Sequence, residues 1–289
     1  MEAQELRTVL TQLESTAKSV DWMGQLDRRK REELEFHNRH RDQAAASQLP
    51  SDTYELLYGN KKFYSTTRLS RDYVCNWIRA MAPGKVFLDY ACGNGANALL
   101  AAQAGSLLSI GLDISDVSLG NARKAAALAD VADRCAFVQG DCERTGLPDE
   151  SVDVVICSGM LHHLDLSYAF PELRRILRRG GRILAVEALD YNPLIKLYRN
   201  LTPGMRTEWE KKHILSMADV KFARRFFEIG EVRYWHLLSI ATAYLTRWPA
   251  LQRRAGWTAD QLDRLLLAIP GLRRMAWQFT FELLKPSEE

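Results

Sequence analysis

The stretch Val86-Phe-Leu-Asp-Tyr-Ala-Cys-Gly-Asn-Gly-Ala-Asn97 decides the fold of this chain. Its first five residues, Val86–Tyr90, are mostly apolar and predict a buried strand. Gly93 and Gly95 then form a turn, and the following segment Ala96–Gln103 predicts a helix. Glycines at this place let the backbone approach a ligand closely at the carboxyl end of the strand. A G-x-G turn alone is weak evidence, since many nucleotide sites and some plain turns contain it.

The segments on either side of this turn alternate between strand and helix patterns. Apolar runs predict further strands at Ser109–Asp113, Ala136–Gln139, Val152–Cys157, Arg182–Glu187, Glu231–Ile240 and Met275–Leu284. Helices are predicted at Ser70–Ala82, Ser118–Ala129 and Tyr168–Leu177, and a helical insertion at Ala241–Ala268. Strands alternating with helices at this spacing favour a parallel sheet with crossovers on both faces. The predicted fold is therefore α/β, with a doubly wound, mostly parallel, seven-stranded Rossmann-like sheet.

An acidic residue lies at or next to the carboxyl end of each of the first three predicted strands. Asp89 lies four residues before Gly93, and because an unpaired buried carboxylate is costly, it suits contact with a cationic amine. Asp113 ends the next strand, where an acidic residue accepts hydrogen bonds from both ribose hydroxyls. Asp141 follows the third strand, where a carboxylate could meet an adenine amino group. Three acids on one rim of the sheet indicate a nucleoside-binding site.

These motifs resemble those of the class I S-adenosylmethionine-dependent methyltransferases, especially the small-molecule subgroup. The resemblance covers Lys85–Ala188. Leu88–Gly95 is similar to the family's first motif, D-x-G-C-G-x-G, although Ala91 stands where the family commonly has glycine. Gly111–Ser115 is similar to the second motif and Gly140–Cys142 to the third.

The resemblance implies that S-adenosylmethionine is the cofactor. It implies that Asp89 and the turn hold the methionine part, that Asp113 takes the ribose hydroxyls, and that Asp141 bonds the adenine amino group. The whole predicted cofactor site is Asp89, Ala91, Gly93, Gly95, Asp113, Ile114, Asp141, Cys142 and Ser158. No metal site is predicted, because the five cysteines include no C-x-x-C pair and their spacing fits no zinc framework.

Three residues are candidates for the catalytic groups. His162 and His163 follow the fourth strand, in a loop that the resemblance places at the border of the reaction centre. Either could act as a base or a substrate contact, or could simply pack within the loop. Glu187 ends the fifth strand at the same rim and could be a base or a structural hydrogen-bond partner. The predicted activity is methyl transfer to O, C or N of a lipophilic or aromatic small molecule, such as a secondary metabolite, quinone or lipid.

Other functional classes stay open at this point. A dinucleotide-dependent oxidoreductase would place a pyrophosphate on the glycine turn, where the carboxylate of Asp89 would be unfavourable. The 21 basic and 13 acidic residues of 171–289 would suit RNA or protein methylation, but no basic-aromatic groove can be recognised. A non-catalytic scaffold that retains the cofactor fold is the third alternative, because a helical N-terminal arm can mediate self-association.

Length and composition limit the class of protein. The chain has 289 residues, 47% of them hydrophobic, and a net charge of +3, as in ordinary globular proteins. It contains no apolar run of the ~20 residues that span a membrane and no secretory leader at its start, so a cytoplasmic protein is expected. We expect a helical arm and cap at 1–82, the cofactor-binding core at 83–189, and a helical, aromatic substrate cap with the last strands at 190–289. A small-molecule acceptor, no nucleic acid, and homo-oligomers formed through the arm are the expected partners.

Overall fold

The computed structural model describes residues 3–17 and 20–287 of the chain. One sheet contains seven strands in the order β3-β2-β1-β4-β5-β7-β6. The strands are β1 (Val86–Tyr90), β2 (Leu108–Asp113), β3 (Cys135–Gln139), β4 (Val152–Ser158), β5 (Leu177–Ala188), β6 (Glu228–Trp235) and β7 (Gln278–Leu284). Paired strands are parallel except at β7, which is antiparallel to both β5 and β6. The predicted doubly wound, mostly parallel, seven-stranded sheet is confirmed.

Helices flank the sheet and precede it in the chain. They are α1 (Ala3–Ala17), α2 (Val20–Gln25), α3 (Arg28–Arg41), α4 (Gln43–Ser47), α5 (Ser51–Tyr58), α6 (Arg68–Met81), α7 (Ala96–Gln103), α8 (Asp116–Leu128), α9 (Leu166–Ile176), α10 (Pro193–Leu201), α11 (Met217–Ala223) and α12 (Pro249–Leu266). Short 3-10 turns fill several of the connections, the longest at Gly59–Thr66. No helix of the described residues is long and apolar enough to cross a membrane.

The core lies on both faces of the central strands. Every residue of β1 and β2 is buried, as expected for strands of a parallel sheet covered on both sides. Trp77 and Ile78 of α6 pack with Phe87 on one face, whereas Phe170 of α9 packs with Leu88 on the other. The strand order reverses between β1 and β4, and in such sheets ligands bind at the carboxyl ends beside this switch point.

The N-terminal region differs from its prediction. The sequence pattern predicts helix through residues 1–50, but the described residues form four helices, α1 to α4. Asp27 and Asp42 interrupt the helical pattern, because each side chain accepts a hydrogen bond from a backbone N–H and so caps a new helix. Residues 18 and 19, between α1 and α2, lie outside the described residues. The arm can therefore fold back across the core instead of extending as one rod.

The C-terminal boundaries also differ from their predictions. The predicted strand Glu231–Ile240 ends at Trp235, where His236 takes a positive φ of 64° that breaks the extended conformation. The predicted helix Ala241–Ala268 begins only at Pro249, a residue favoured at the first helical position. Residues 239–245 form a 3-10 turn instead.

Candidate active site

The glycine turn after β1 has the left-handed backbone that its sequence requires. Gly93 and Gly95 have φ of 51° and 77°, and Ala91 has φ of 56°. Glycine adopts this conformation freely, whereas for alanine it costs roughly 1 kcal/mol. The departure of Ala91 from the family motif therefore has a structural consequence, since a glycine would relieve strain at this position. Gly95 ends the turn as the N-terminal cap of α7.

Asp89 lies beneath this turn and is buried. Its Oδ2 accepts a hydrogen bond from the Ala98 backbone N–H at 3.1 Å, and its Oδ1 accepts one from the Asn97 amide at 3.4 Å. Burial raises the pKa of the Asp89 carboxyl to about 7, although these two hydrogen bonds oppose the shift. A cationic group close by would favour the ionised carboxylate, so the predicted contact with an amine suits this position.

Asp113 joins the end of β2 to the turn. Its Oδ2 accepts a hydrogen bond from the Gly93 N–H at 2.7 Å, and its Oδ1 accepts one from the Ser115 N–H at 2.8 Å. The carboxylate is thereby fixed at the rim of a cleft that Ile114 also lines. Each carboxylate oxygen has a further lone pair, so Asp113 can still accept hydrogen bonds from a ligand such as a ribose.

Asp141 and Cys142 follow β3 on the same rim, and both line the cleft. The Asp141 carboxylate forms an ion pair with Lys30 Nζ at 2.6 Å, a contact that sequence reasoning did not predict. The backbone carbonyl of Cys142 accepts a hydrogen bond from the Tyr90 hydroxyl. The predicted adenine contact of Asp141 therefore faces competition from a lysine of the N-terminal arm.

Helix α3 closes the cleft from above. Its residues on the cleft are Arg29, Lys30, Glu33, His37 and Arg41. Lys30 contacts Glu143 as well as Asp141. About 90 Å³ of open space remains, less than the roughly 300–1,000 Å³ of a typical small-molecule pocket. We therefore expect the helix to move outward before a ligand of nucleoside size enters.

A larger cavity adjoins the cleft on the side of the switch point. Its volume is about 590 Å³, within the usual range for small ligands. Its walls include the aromatic rings of Phe36, Tyr64 and Trp277 and the apolar side chains of Val74, Val186 and Met205. The cleft and this cavity share five lining residues, namely His37, Arg41, Ser158, Gly159 and His163. The predicted residue Ser158, exposed at the end of β4, thus lies between the two spaces.

The three predicted catalytic residues lie together beside this cavity. Glu187 is buried, and its Oε2 is 2.6 Å from Nδ1 of His162. Its Oε1 accepts hydrogen bonds from the backbone N–H groups of Met160 and Leu161. Of the two roles considered for Glu187, the geometry supports a positioning partner, because both carboxylate oxygens are engaged by the protein. Burial lowers the pKa of His162, but the adjacent Glu187 carboxylate outweighs it and the net shift is upward.

His163 is in a different environment from its neighbour. Burial and the adjacent His162 lower its pKa, so its imidazole is neutral at pH 7. Its Nδ1 lies 2.9 Å from Oε2 of Glu33 on the arm. The two adjacent histidines are therefore each held by a carboxylate, one from the sheet and one from the arm.

Sequence reasoning missed the residues that the arm contributes to the site. Lys30, Glu33, His37 and Arg41 recur every three or four residues, which places them on one face of a helix. That periodicity indicates a polar helix face that could contact a functional site. It could not indicate the partner surface, because Lys30 and Asp141 are 111 positions apart.

Comparisons with known proteins match the central part of the chain to methyltransferases. A protein family described as a methyltransferase domain matches residues 88–185. A 27-O-demethylrifamycin SV methyltransferase from Amycolatopsis mediterranei (strain S699) is 37% identical over 120 residues, which are 41% of this chain and 43% of that protein. The chain spans less than half the length of the curated relatives that it matches.

Solved structures share the fold at lower identity. A geranyl diphosphate methyltransferase in complex with GPP and sinefungin has a TM-score of 0.55 and 16% identity, with 73% of this chain and 76% of that chain covered. The [4+2]-cyclase SpnF has a TM-score of 0.53 and 19% identity, with 74% and 80% covered. The same fold therefore occurs in a protein described as a cyclase, so the reaction has to be argued from the site.

Proposed function

Because residues 88–185 match a family described as a methyltransferase domain, we propose that this chain is a class I S-adenosylmethionine-dependent methyltransferase that methylates O, C or N of a lipophilic or aromatic small molecule. The observation that carries the proposal is the shared wall between the cleft and the larger cavity, formed by Ser158, Gly159 and His163 among others. A cofactor in the cleft and a molecule in the cavity would both contact these shared residues, so the two would lie close to each other.

The residues around the cleft fit S-adenosylmethionine. Asp113 offers free lone pairs to the ribose. The predicted residues Asp89 and Gly95 do not line the cleft, and the buried Asp89 carboxylate beneath the turn would attract a cationic amine from behind the cleft wall. Ile114 offers an apolar side chain to the adenine, and Asp141 an acceptor to its amino group once Lys30 releases it. Ser118 also lines the cleft, and its buried hydroxyl has no hydrogen-bond partner among the residues described. An unpaired buried hydroxyl is costly, so a polar ligand at this position would satisfy it.

We assign His162 as the base. When bound, S-adenosylmethionine supplies a sulfonium methyl group, and its transfer to an O–H or N–H acceptor leaves S-adenosylhomocysteine and releases one proton. Glu187 holds Nδ1 of His162 at 2.6 Å, so the other ring nitrogen is the one that can accept that proton from an acceptor in the cavity. This is the arrangement of a carboxylate-oriented general base.

The flanking parts of the chain define the acceptor in this proposal. The cavity takes Phe36 and His37 from residues 1–82 and Met205 and Trp277 from residues 190–289. The apolar and aromatic part of these walls suits a lipophilic or aromatic acceptor, and charged side chains such as Arg41, Arg71 and Glu210 line the rest of the cavity. We therefore treat 1–82 as arm and cap, 83–189 as the cofactor core, and 190–289 as substrate cap and last strands.

Calorimetry with S-adenosylhomocysteine tests the cofactor site first. We expect one molecule bound per chain, and Asp113→Asn should weaken binding by roughly tenfold, the loss of one or two hydrogen bonds to a charged group. The matched control is Asp116→Asn, an exposed neighbour outside the cleft lining. A wild-type chain that binds neither S-adenosylhomocysteine nor S-adenosylmethionine would refute the proposal.

A screen with isotope-labelled methyl donor tests the transfer. Phenols, quinols and isoprenoid alcohols are suitable acceptors, and His162→Gln should lower kcat for a hydroxyl acceptor by about 10² or more. His213→Gln is the control, since that histidine is exposed and stacks on Trp209. Tight cofactor binding without turnover over the whole screen would favour a scaffold instead.

The remaining parts of the proposal concern partners and location. We propose a cytoplasmic protein that binds no nucleic acid and that self-associates through its arm. Retention on heparin with steep salt dependence would contradict the second point. Sedimentation of the full chain as a monomer at micromolar concentration would contradict the third.

A further inference from the structure

Histidines are concentrated around the acceptor cavity. The chain has 6 histidines, and four of them, His37, His40, His162 and His163, line this one cavity. His37 and His163 also line the cofactor cleft, together with Glu33. Two imidazoles and one carboxylate therefore meet where the cofactor and the acceptor would face each other.

The distances within this group suit a shared metal ion. Oε2 of Glu33 lies 2.9 Å from Nδ1 of His163 and 3.5 Å from Nε2 of His37. The three potential ligand atoms lie within 4.8 Å of one another. Ligand atoms that are each about 2.1 Å from a Zn²⁺ ion are separated by about 3.0 Å at right angles and by about 3.4 Å at the tetrahedral angle.

One polar atom of Glu33 and one of His163 lack a hydrogen-bond partner. Oε2 of Glu33 and Nδ1 of His163 are both buried, and neither has a hydrogen-bond partner among the described residues. The two atoms are 2.9 Å apart, which is close enough for a hydrogen bond, but the angle between them does not meet the requirement for one. Only 5% of Glu33 is exposed to solvent, and leaving one oxygen of such a buried carboxylate without a hydrogen bond is costly.

Surrounding groups support the ligands. Thr207 donates a hydrogen bond to the other oxygen of Glu33 at 2.5 Å. Arg29 donates one to the backbone carbonyl of His163 at 3.0 Å. Such outer contacts orient metal ligands in known sites. The cations Arg29 and Lys30 are already paired with Glu143, which reduces their repulsion of an incoming cation.

We propose that Glu33, His37 and His163 bind a divalent transition-metal ion whose open position faces the acceptor cavity. Two histidines and one carboxylate with open positions are a recurrent ligand set for such ions. The role of this ion in catalysis rests on the proposed methyl transfer. In that reaction the ion coordinates the acceptor hydroxyl and lowers the pKa of that hydroxyl. The hydroxyl proton then passes to His162, and the oxygen is left as the nucleophile. The preferred acceptors are hydroxyl compounds, such as catechols or quinols, that can coordinate a metal.

Metal binding can be measured without any turnover. The tag-free full chain, treated with chelator and then titrated with Co²⁺, should show visible absorption bands that saturate at one ion per chain. Glu33→Gln and His37→Gln should each weaken Co²⁺ binding by roughly tenfold or more. His40→Gln is the matched control, since it lies one turn along the same helix and its ring nitrogens face the carbonyls of Phe36 and Leu57.

The outcomes separate this proposal from the proposed function. Absence of saturable Co²⁺ binding, or equal binding by wild type and both ligand variants, would overturn the metal site. In that case Glu33 only makes polar contacts with the two histidines. Binding of S-adenosylhomocysteine by the same samples reports on the cofactor site and on folding. Zn²⁺ competition against Co²⁺ gives the affinity for the more common metal, and it should displace Co²⁺ with the same stoichiometry.

Discussion

Gly95→Ala should strongly destabilise the chain, by an amount that the turn geometry allows us to calculate. A Cβ at this position would lie 2.8 Å from Cβ of Ala122 and 2.9 Å from Cε1 of Phe137. Both neighbours are buried, so α8 or β3 must shift to make room. The left-handed backbone, with φ of 77°, adds about 1–2 kcal/mol, and overpacking adds about 1–3 kcal/mol. The expected loss in the free energy of unfolding is about 2–5 kcal/mol.

Gly84→Ala is the matched control for this experiment. Gly84 has φ of 67°, and a Cβ there would meet nothing within 4 Å, so only the backbone cost of about 1–2 kcal/mol applies. Equilibrium urea unfolding, followed by fluorescence and circular dichroism, measures both variants. The difference between them isolates the steric part. If the two variants lose the same free energy within error, Gly95 is required for its φ alone and the close packing argument is wrong.

Three further predictions concern other parts of the structure. Ala91→Gly should raise the free energy of unfolding by about 0.5–1 kcal/mol, because it relieves a positive φ; a loss of stability in urea would contradict this. Burial lowers the pKa of His236 to about 4 from 6.5, so the protein should lose roughly 3 kcal/mol as the pH falls from 6.5 to 4, when only the unfolded state gains the proton. His236→Asn should lack this part of the pH dependence. If urea unfolding at several pH values shows that the variant loses as much free energy of unfolding as the wild type, His236 is not the group responsible. Lys30→Met should accelerate hydrogen exchange in helix α3. Arg28→Met, which removes an exposed ion pair with Glu32, is the control and should not. Equal exchange rates in the two variants would contradict a role for Lys30 in holding the helix over the cleft.

Local sequence patterns predicted the sheet well, and they predicted that Asp113 and Asp141 lie on one rim of it. Strand β1 and helix α7 have the predicted boundaries, because an apolar run followed by a glycine turn and an alanine-rich segment permits few alternatives. Asp113 and Asp141 could be placed on one rim for a similar reason. The carboxyl ends of parallel strands lie at the same edge of a sheet, so a residue at a strand end has a known position without tertiary information.

The position of the N-terminal arm on the core could not be predicted from local sequence patterns. Its helical character follows from composition, but the surface that it covers depends on contacts across more than a hundred residues, such as those of Lys30 with Asp141 and of Glu33 with His163. The role of Glu187 was open for a related reason. A carboxylate at a strand end can face a ligand or turn to a neighbour, and the loop around Met160 and Leu161 determines which.

Helix α3 connects the two halves of the site through its rigidity. Lys30 at one end contacts the cofactor rim, and His37 lies seven residues later, about 10 Å along the helix axis, at the acceptor cavity. If helix α3 moves as a unit, the outward movement that we expect to admit a cofactor also draws Glu33 and His37 away from His163. The proposed metal site therefore requires the helix to close again over the bound cofactor, with Lys30 in a position that leaves Asp141 free.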